Sequence, residues 1–179
     1  SKAGLADVGE NRVQEAVAKM DAVSVPVRWH LIGHLQRNKV KSLDRFSLFH
    51  ALDSARLAVA VNAFGLERGK AVDTLVQVNV GGEATKGGFS LDELEEQAIR
   101  LASLDGLRVQ GLMTMARLGA DERELRRTFA GARDALALVR RAGHPATELS
   151  MGMSGDYEIA VEEGATMVRL GTTLFGARE

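Results

Sequence analysis

The chain has 179 residues, of which 45% are hydrophobic and 26% charged, and its formal net charge is −1 at pH 7. That is ordinary globular material, long enough to bury a core, and its near-neutral charge points to neither nucleic acid nor a membrane surface as principal partner. It contains no cysteine, no apolar run of bilayer length, and no charged n-region with an apolar h-region in SKAGLADVGEN, so disulfides, thiolate chemistry, a membrane span and a signal peptide drop out and a reducing, cytoplasmic compartment is the expectation.

Short apolar runs alternate with longer amphipathic stretches along the chain. The first three strand-like runs are Leu5–Val8, Trp29–Gly33 and Ser47–Leu52. Leu75–Val80 follows; its LVQVNV is apolar on both faces, as a sheet covered by helices requires. The glycine-rich loop GGEATKGGF then carries Lys86. Ser90-Leu91-Asp92-Glu93 reads as a capping box, serine first and glutamate three later, and Leu94, Ala98, Leu101 and Ala102 form one helical stripe behind it. Val109–Met115 is the next strand-like run. Asp121 can cap a helix in which Leu125, Phe129, Ala132, Leu136 and Val139 recur at steps of four and three, and Gly143 and Pro145 end it. Glu148–Met153, a helix starting near Ser154 and stopped by Gly164, and Met167–Gly171 complete the series.

Repeated strand–helix–strand units imply parallel pairing with right-handed crossovers. Seven strands suit an open doubly wound sheet, whereas a closed barrel needs eight. Only a few residues precede the first strand. A further strand upstream of Ser1 would complete an α/β (β/α)₈ TIM barrel. The expectation is one barrel domain over residues 1–179, its first strand missing or truncated, with room for a missing loop after Lys2. The absence of low-complexity sequence, and only 2 prolines, argue against a linker.

With that upstream strand counted, Glu148–Met153 is the seventh strand and Met167–Gly171 the eighth. Barrels of this kind commonly bind phosphate with the loops after these two strands. Ser154 follows the seventh and opens a helix, so its hydroxyl and the N–H groups behind it suit an oxyanion. Gly171 follows the eighth and has no Cβ, so the backbone N–H groups of Gly171 and Thr172 can approach a phosphate closely. Each feature alone reads as a helix cap or a strand-end glycine; their placement after adjacent strands is what points to phosphate. Arg169 lies two residues before Gly171, on the same strand face, and a buried guanidinium needs an acceptor. That acceptor is either a carboxylate such as Glu10 or a ligand whose phosphate sits at Gly171.

DVGENRVQEA, WHLIGHLQRNK, GLMTMA and above all SMGMSGDYEIAVEEGATMVRLGTTLFGAR resemble the YggS-like pyridoxal-phosphate homeostasis proteins, whose fold is similar to the N-terminal barrel of alanine racemase. The likeness runs from about Ala3 to Arg178. It implies pyridoxal 5'-phosphate as cofactor, bound as a Schiff base to a lysine that ends the first strand in an AVSK-like run. It further implies that Ser154, Gly171 and Thr172 hold the phosphate. By the same resemblance Arg169 faces the pyridine nitrogen, and Asn11 and Met113 line the ring. An arginine there does not protonate the nitrogen as an aspartate would, which leaves the ring a poor electron sink. Ser1-Lys2 looks like the end of AVSK, so Lys2 is the anchor the resemblance implies. The family usually has roughly twenty residues between that lysine and GEN, but Lys2 lies seven before Gly9. Lys86 is the rival anchor; a mobile lysine keeps a high pKa, which suits a loop role better than an imine.

The remaining polar residues have plain readings. His30 and His34 flank a strand end rather than a helix turn, so a metal pair is not expected; His50 and His144 show no partner pattern. Met113, Met115, Met151 and Met153 alternate on strands, and one of each pair packs in the core.

Three functions follow. A carrier would buffer or deliver pyridoxal phosphate to apo enzymes with little catalysis, as a monomer. An amino-acid racemase would need an acid/base on each face of the cofactor, and the chain has a single tyrosine, Tyr157. A barrel enzyme acting on a phosphoester would need further carboxylate or histidine pairs, for which Glu10 and His30 are the candidates.

Overall fold

Cross-strand charge pairs, as much as apolar runs, set where the strands of this protein lie. The computed structural model describes residues 4–83 and 87–176. Its strands are β1 (Asp7–Glu10), β2 (Arg28–Leu31), β3 (Leu48–Leu52), β4 (Val72–Asn79), β5 (Phe89–Ser90), β6 (Leu107–Met113), β7 (Glu148–Met153) and β8 (Met167–Arg169). Between them run helices α1 (Val13–Ala22), α2 (Ala55–Glu67), α3 (Leu91–Ala102), α4 (Glu122–Arg141), α5 (Tyr157–Glu162) and α6 (Thr172–Phe175), and a 3₁₀ segment, Arg37–Arg45. Several strands begin earlier than hydropathy suggests. Asp7 pairs with Arg28 in register and Asp73 with Arg108, and each pair forms a two-pronged Asp–Arg ion pair. A charged residue neutralised by its cross-strand neighbour can sit in a strand that a purely apolar criterion would trim.

Every strand pair is parallel, in the order β1-β2-β3-β4-β6-β7-β8. The two-residue β5 pairs with β4 off this path and has no counterpart among the seven expected runs. The sheet curls on itself: His50 of β3 and Ser150 of β7 lie three strands apart along it, yet their side chains are 2.9 Å apart. Helices cover the outside, giving a nearly closed TIM-like barrel of parallel strands. Among the described residues, β1 and β8 end the strand order.

Local signals hold where the chain states them fully. Ser90 and Glu93 form the reciprocal capping box at the start of α3, and Leu94, Ala98 and Leu101 are buried while Ala102 is exposed. Asp121 accepts the Glu124 N–H at 2.8 Å to cap α4. Leu125, Phe129, Ala132, Leu136 and Val139 all face the core. Gly143 and Gly164 adopt φ of +95° and +98° just past α4 and α5, as helix-ending glycines do.

Candidate functional site

The rim of the barrel is shaped by a glycine inside β7. Gly152 has φ of +90°, and a Cβ there would lie 2.6 Å from that of Ala160. The register between β7 and β8 shifts between Ser150 and Met153, around this residue. Beyond it the chain turns, and Ser154 meets the loop after β8: its Oγ accepts the Gly171 N–H at 3.2 Å and the Thr173 N–H at 3.3 Å. The two adjacent rim loops therefore converge, with Thr172 between the two donors. Ser154 does not open a helix, contrary to expectation. Helix α5 starts at Tyr157, and Asp156 takes the position before it, accepting the Met153 N–H at 2.5 Å. The aspartate closes the turn, which leaves the serine hydroxyl to the neighbouring loop.

Arg169, at the end of β8, points inward. Its Nη1 donates to Ser150 Oγ at 2.6 Å and its Nη2 to the Thr114 carbonyl at 2.9 Å. Both acceptors are neutral. Among the described residues no carboxylate forms an ion pair with Arg169, and Glu10 pairs instead with Lys19 at 2.5 Å. Burial lowers the guanidinium pKa to about 10, partly offset by the charge of Asp156, so it stays cationic at neutral pH. A half-buried cation whose hydrogen-bond partners among the described residues are both dipolar retains the capacity to meet a further acceptor.

Below Arg169 the polar groups continue. Ser150, fully buried, lies 2.9 Å from His50 Nδ1. His50 Nε2 lies 3.0 Å from His30 Nδ1, and His30 Nε2 lies 3.2 Å from Asp7. Burial, reinforced by the charges of His30 and Arg169, pushes His50 down to about 3. Burial also lowers His30, opposed by Asp7. Hydrogen bonding to Arg28 holds Asp7 below the usual carboxylate range. The sequence reading found no partner for His50; the signal available was a histidine inside the otherwise apolar LFHAL, since a buried imidazole is nearly always hydrogen-bonded.

The other expected site residues fall around this line. Asn11 is exposed just past β1, and its backbone abuts Gly33, where a Cβ would come within 2.2 Å of the Asn11 carbonyl oxygen. Gly33 thus lets the loop after β1 close onto the end of β2. Met113 is buried and in register with Ser150, which places it in the same inward layer, while Met115 is partly exposed above it. Lys2 and Lys86 lie outside the described residues. His34 pairs with Asp53 at 2.9 Å on the rim.

Comparison with known proteins agrees with this fold. The family described as alanine racemase, N-terminal domain, matches residues 1–179. A pyridoxal phosphate homeostasis protein of Aquifex aeolicus is 42% identical, covering 98% of this chain and 78% of that protein. Its Escherichia coli K12 counterpart is 40% identical, covering 99% and 78%. Among solved structures, PipY of Synechococcus elongatus with PLP bound aligns with a TM-score of 0.90 at 38% identity, over 98% of this chain and 84% of that one. Alanine racemase of Corynebacterium glutamicum shares the fold, with a TM-score of 0.76 at 20% identity, over 95% of this chain and 47% of that one.

Proposed function

The chain belongs to the alanine racemase N-terminal domain family, and from that premise we propose that it binds pyridoxal 5'-phosphate at the β7–β8 rim and serves its homeostasis as a carrier, with little catalysis. The observation that carries this reading is the pairing of Arg169, cationic without a carboxylate partner among the described residues, with a rim where the loop after β8 gathers N–H donors around Ser154 of the loop after β7. These residues fit the cofactor's two ends. The Ser154 hydroxyl and the N–H groups of Gly171 and Thr172 would hold the phosphate, with Ser154 giving up the Gly171 and Thr173 N–H groups it accepts from and donating its hydroxyl to the anion. Arg169 would donate to the ring nitrogen, with Asn11 and Met113 beside the ring and Lys2 as the covalent anchor.

Bound pyridoxal phosphate supplies an aldehyde that an amine can capture and a ring that can accept electrons. The residues of this chain restrain the second capacity. Arg169 keeps its own proton, so it cannot hand one to the ring nitrogen and leaves the ring a weak electron sink. Tyr157 commits its hydroxyl to Glu158 at 3.3 Å. Holding the ring without activating it suits a protein that buffers the cofactor and delivers it to apo enzymes, in the cytoplasm and as a monomer. No described helix is long and apolar enough to cross a membrane.

The test is direct. The purified chain mixed with pyridoxal phosphate should turn yellow, and borohydride followed by mass spectrometry should place the label on Lys2. A label on Lys86 would move the anchor, and no retained cofactor would overturn the reading. An amino-acid racemase assay with fast turnover would replace the carrier by an enzyme.

A further inference from the structure

A line of hydrogen-bonding groups joins Arg169 of β8, through β7, β3 and β2, to Asp7 of β1, and its direction is dictated by its two ends. An arginine has only N–H groups to offer, so Ser150 Oγ must accept from it at 2.6 Å. The single hydroxyl hydrogen of Ser150 then goes to His50 Nδ1 at 2.9 Å. That makes Nδ1 the acceptor of a neutral ring and places the His50 hydrogen on Nε2, 3.0 Å from His30 Nδ1. His30 accepts there, so it carries its own hydrogen on Nε2 and donates to Asp7 at 3.2 Å. Asp7, gripped by Arg28 at 2.7 and 2.6 Å, can only accept.

The opposite sense fails at the last link. A hydrogen on His50 Nδ1 would turn a bare Nε2 toward His30, which would then need its hydrogen on Nδ1. The lone pair of His30 Nε2 would face the Asp7 carboxylate, acceptor against acceptor. Only an added proton could relieve that clash, and burial resists adding one: His50 is pushed down to about 3 and His30 below its ordinary value.

We propose that His50 and His30 are positioning residues: referenced to Asp7, they draw the Ser150 hydroxyl hydrogen to His50 and away from Arg169, and so hold the guanidinium on the Ser150 oxygen in the orientation that meets the ligand's ring nitrogen. The final clause rests on the pyridoxal phosphate reading; the direction of the relay does not.

Two arms separate the two. In the cofactor-free full chain labelled with ¹⁵N-histidine, long-range proton–nitrogen couplings at pH 7 should show His30 and His50 neutral with hydrogen on Nε2. A hydrogen on Nδ1 of either ring overturns the relay, whatever the protein binds. In the second arm, His50→Leu should weaken pyridoxal phosphate retention about tenfold, the size of one hydrogen bond to a charged group, and shift the absorption maximum of the bound cofactor. His50→Gln, which can accept from Ser150 and donate to His30, should recover most of both. A folded His50→Leu protein with unchanged affinity and spectrum overturns the positioning role. If the parent retains no pyridoxal phosphate, the binding reading falls and so does the ligand clause, while the couplings still decide the direction.

Discussion

The barrel contains the same device twice, with different consequences. Asp7 with Arg28 joins β1 to β2, and Asp73 with Arg108 joins β4 to β6, each a two-pronged pair between residues in register. The second partner of each aspartate differs. Asp73 also accepts from Gln110 at 2.8 Å, and the interaction stays within that strand pair. Asp7 also meets His30, and through it His50, Ser150 and Arg169. One ion pair holds two strands together; the other also sets the polarity of a buried line that ends at the candidate site. The ion pair does not make the difference. The difference lies in what stands behind it, a glutamine in one case and an inward histidine in the other.

That contrast can be broken at its centre first. Arg169→Ala should lower pyridoxal phosphate retention about a hundredfold, the loss expected when a charged hydrogen-bond donor is removed from its ligand, while circular dichroism shows an intact fold. Unchanged retention would make Arg169 a core residue only.

Acid separates the two regions next. His50 is held neutral in the folded protein, down to about 3, whereas an unfolded histidine takes up its proton near 6.5. The unfolded chain therefore binds more protons between these values. The stabilisation is whole above pH 6.5 and is lost as pH falls toward 3, by up to about 1.4 kcal/mol per pH unit from this residue; His30, also lowered, adds to it in the same sense. The two aspartates act later. Arg28 lowers Asp7, and at Asp73 the hydrogen bonds of Arg108 and Gln110 outweigh the upward push of burial. Both carboxylates stabilise the fold above their ordinary value of 3.8 and lose that effect only below it. Denaturant unfolding at pH 7, 6 and 5 should thus show a decline that His50→Leu flattens and Asp73→Asn leaves in place.

The direct comparison comes from the aspartates. Asp7→Asn should reduce cofactor retention several-fold, because an amide can present either polarity to His30, and should change the histidine couplings. The smallest effect belongs to Asp73→Asn: under about 1 kcal/mol of stability, as for other exposed pairs, with retention unchanged. Equal retention in the two variants would erase the distinction between the regions.

Much of the rim was readable along the chain because its signals are local. Gly171 two residues after Arg169, and Ser154 just past an apolar strand, sit at the strand ends that a parallel barrel devotes to ligands, and the long SMGMSGDYEIAVEEGATMVRLGTTLFGAR segment carries a specific resemblance. Misreadings came where two local signals competed. Ser154 looked like a helix cap, yet Asp156 closes the turn instead. Apolar runs suggested strands at Leu5–Val8 and Trp29–Gly33, whereas the Asp7–Arg28 pair moves the ladder to Asp7–Glu10 and Arg28–Leu31.

Alternating apolar runs and capping residues determined by themselves the parallel α/β alternation and its helices, and the motif around Arg169 marked the barrel and its candidate rim, because each depends on neighbours a few positions apart. Only the tertiary structure decided that His50 has partners and that the cation at Arg169 is tied to Asp7. Those contacts join residues 20 and 100 positions apart, and they exist only once the sheet curls and excludes water, leaving each buried polar group to find its partner across the barrel.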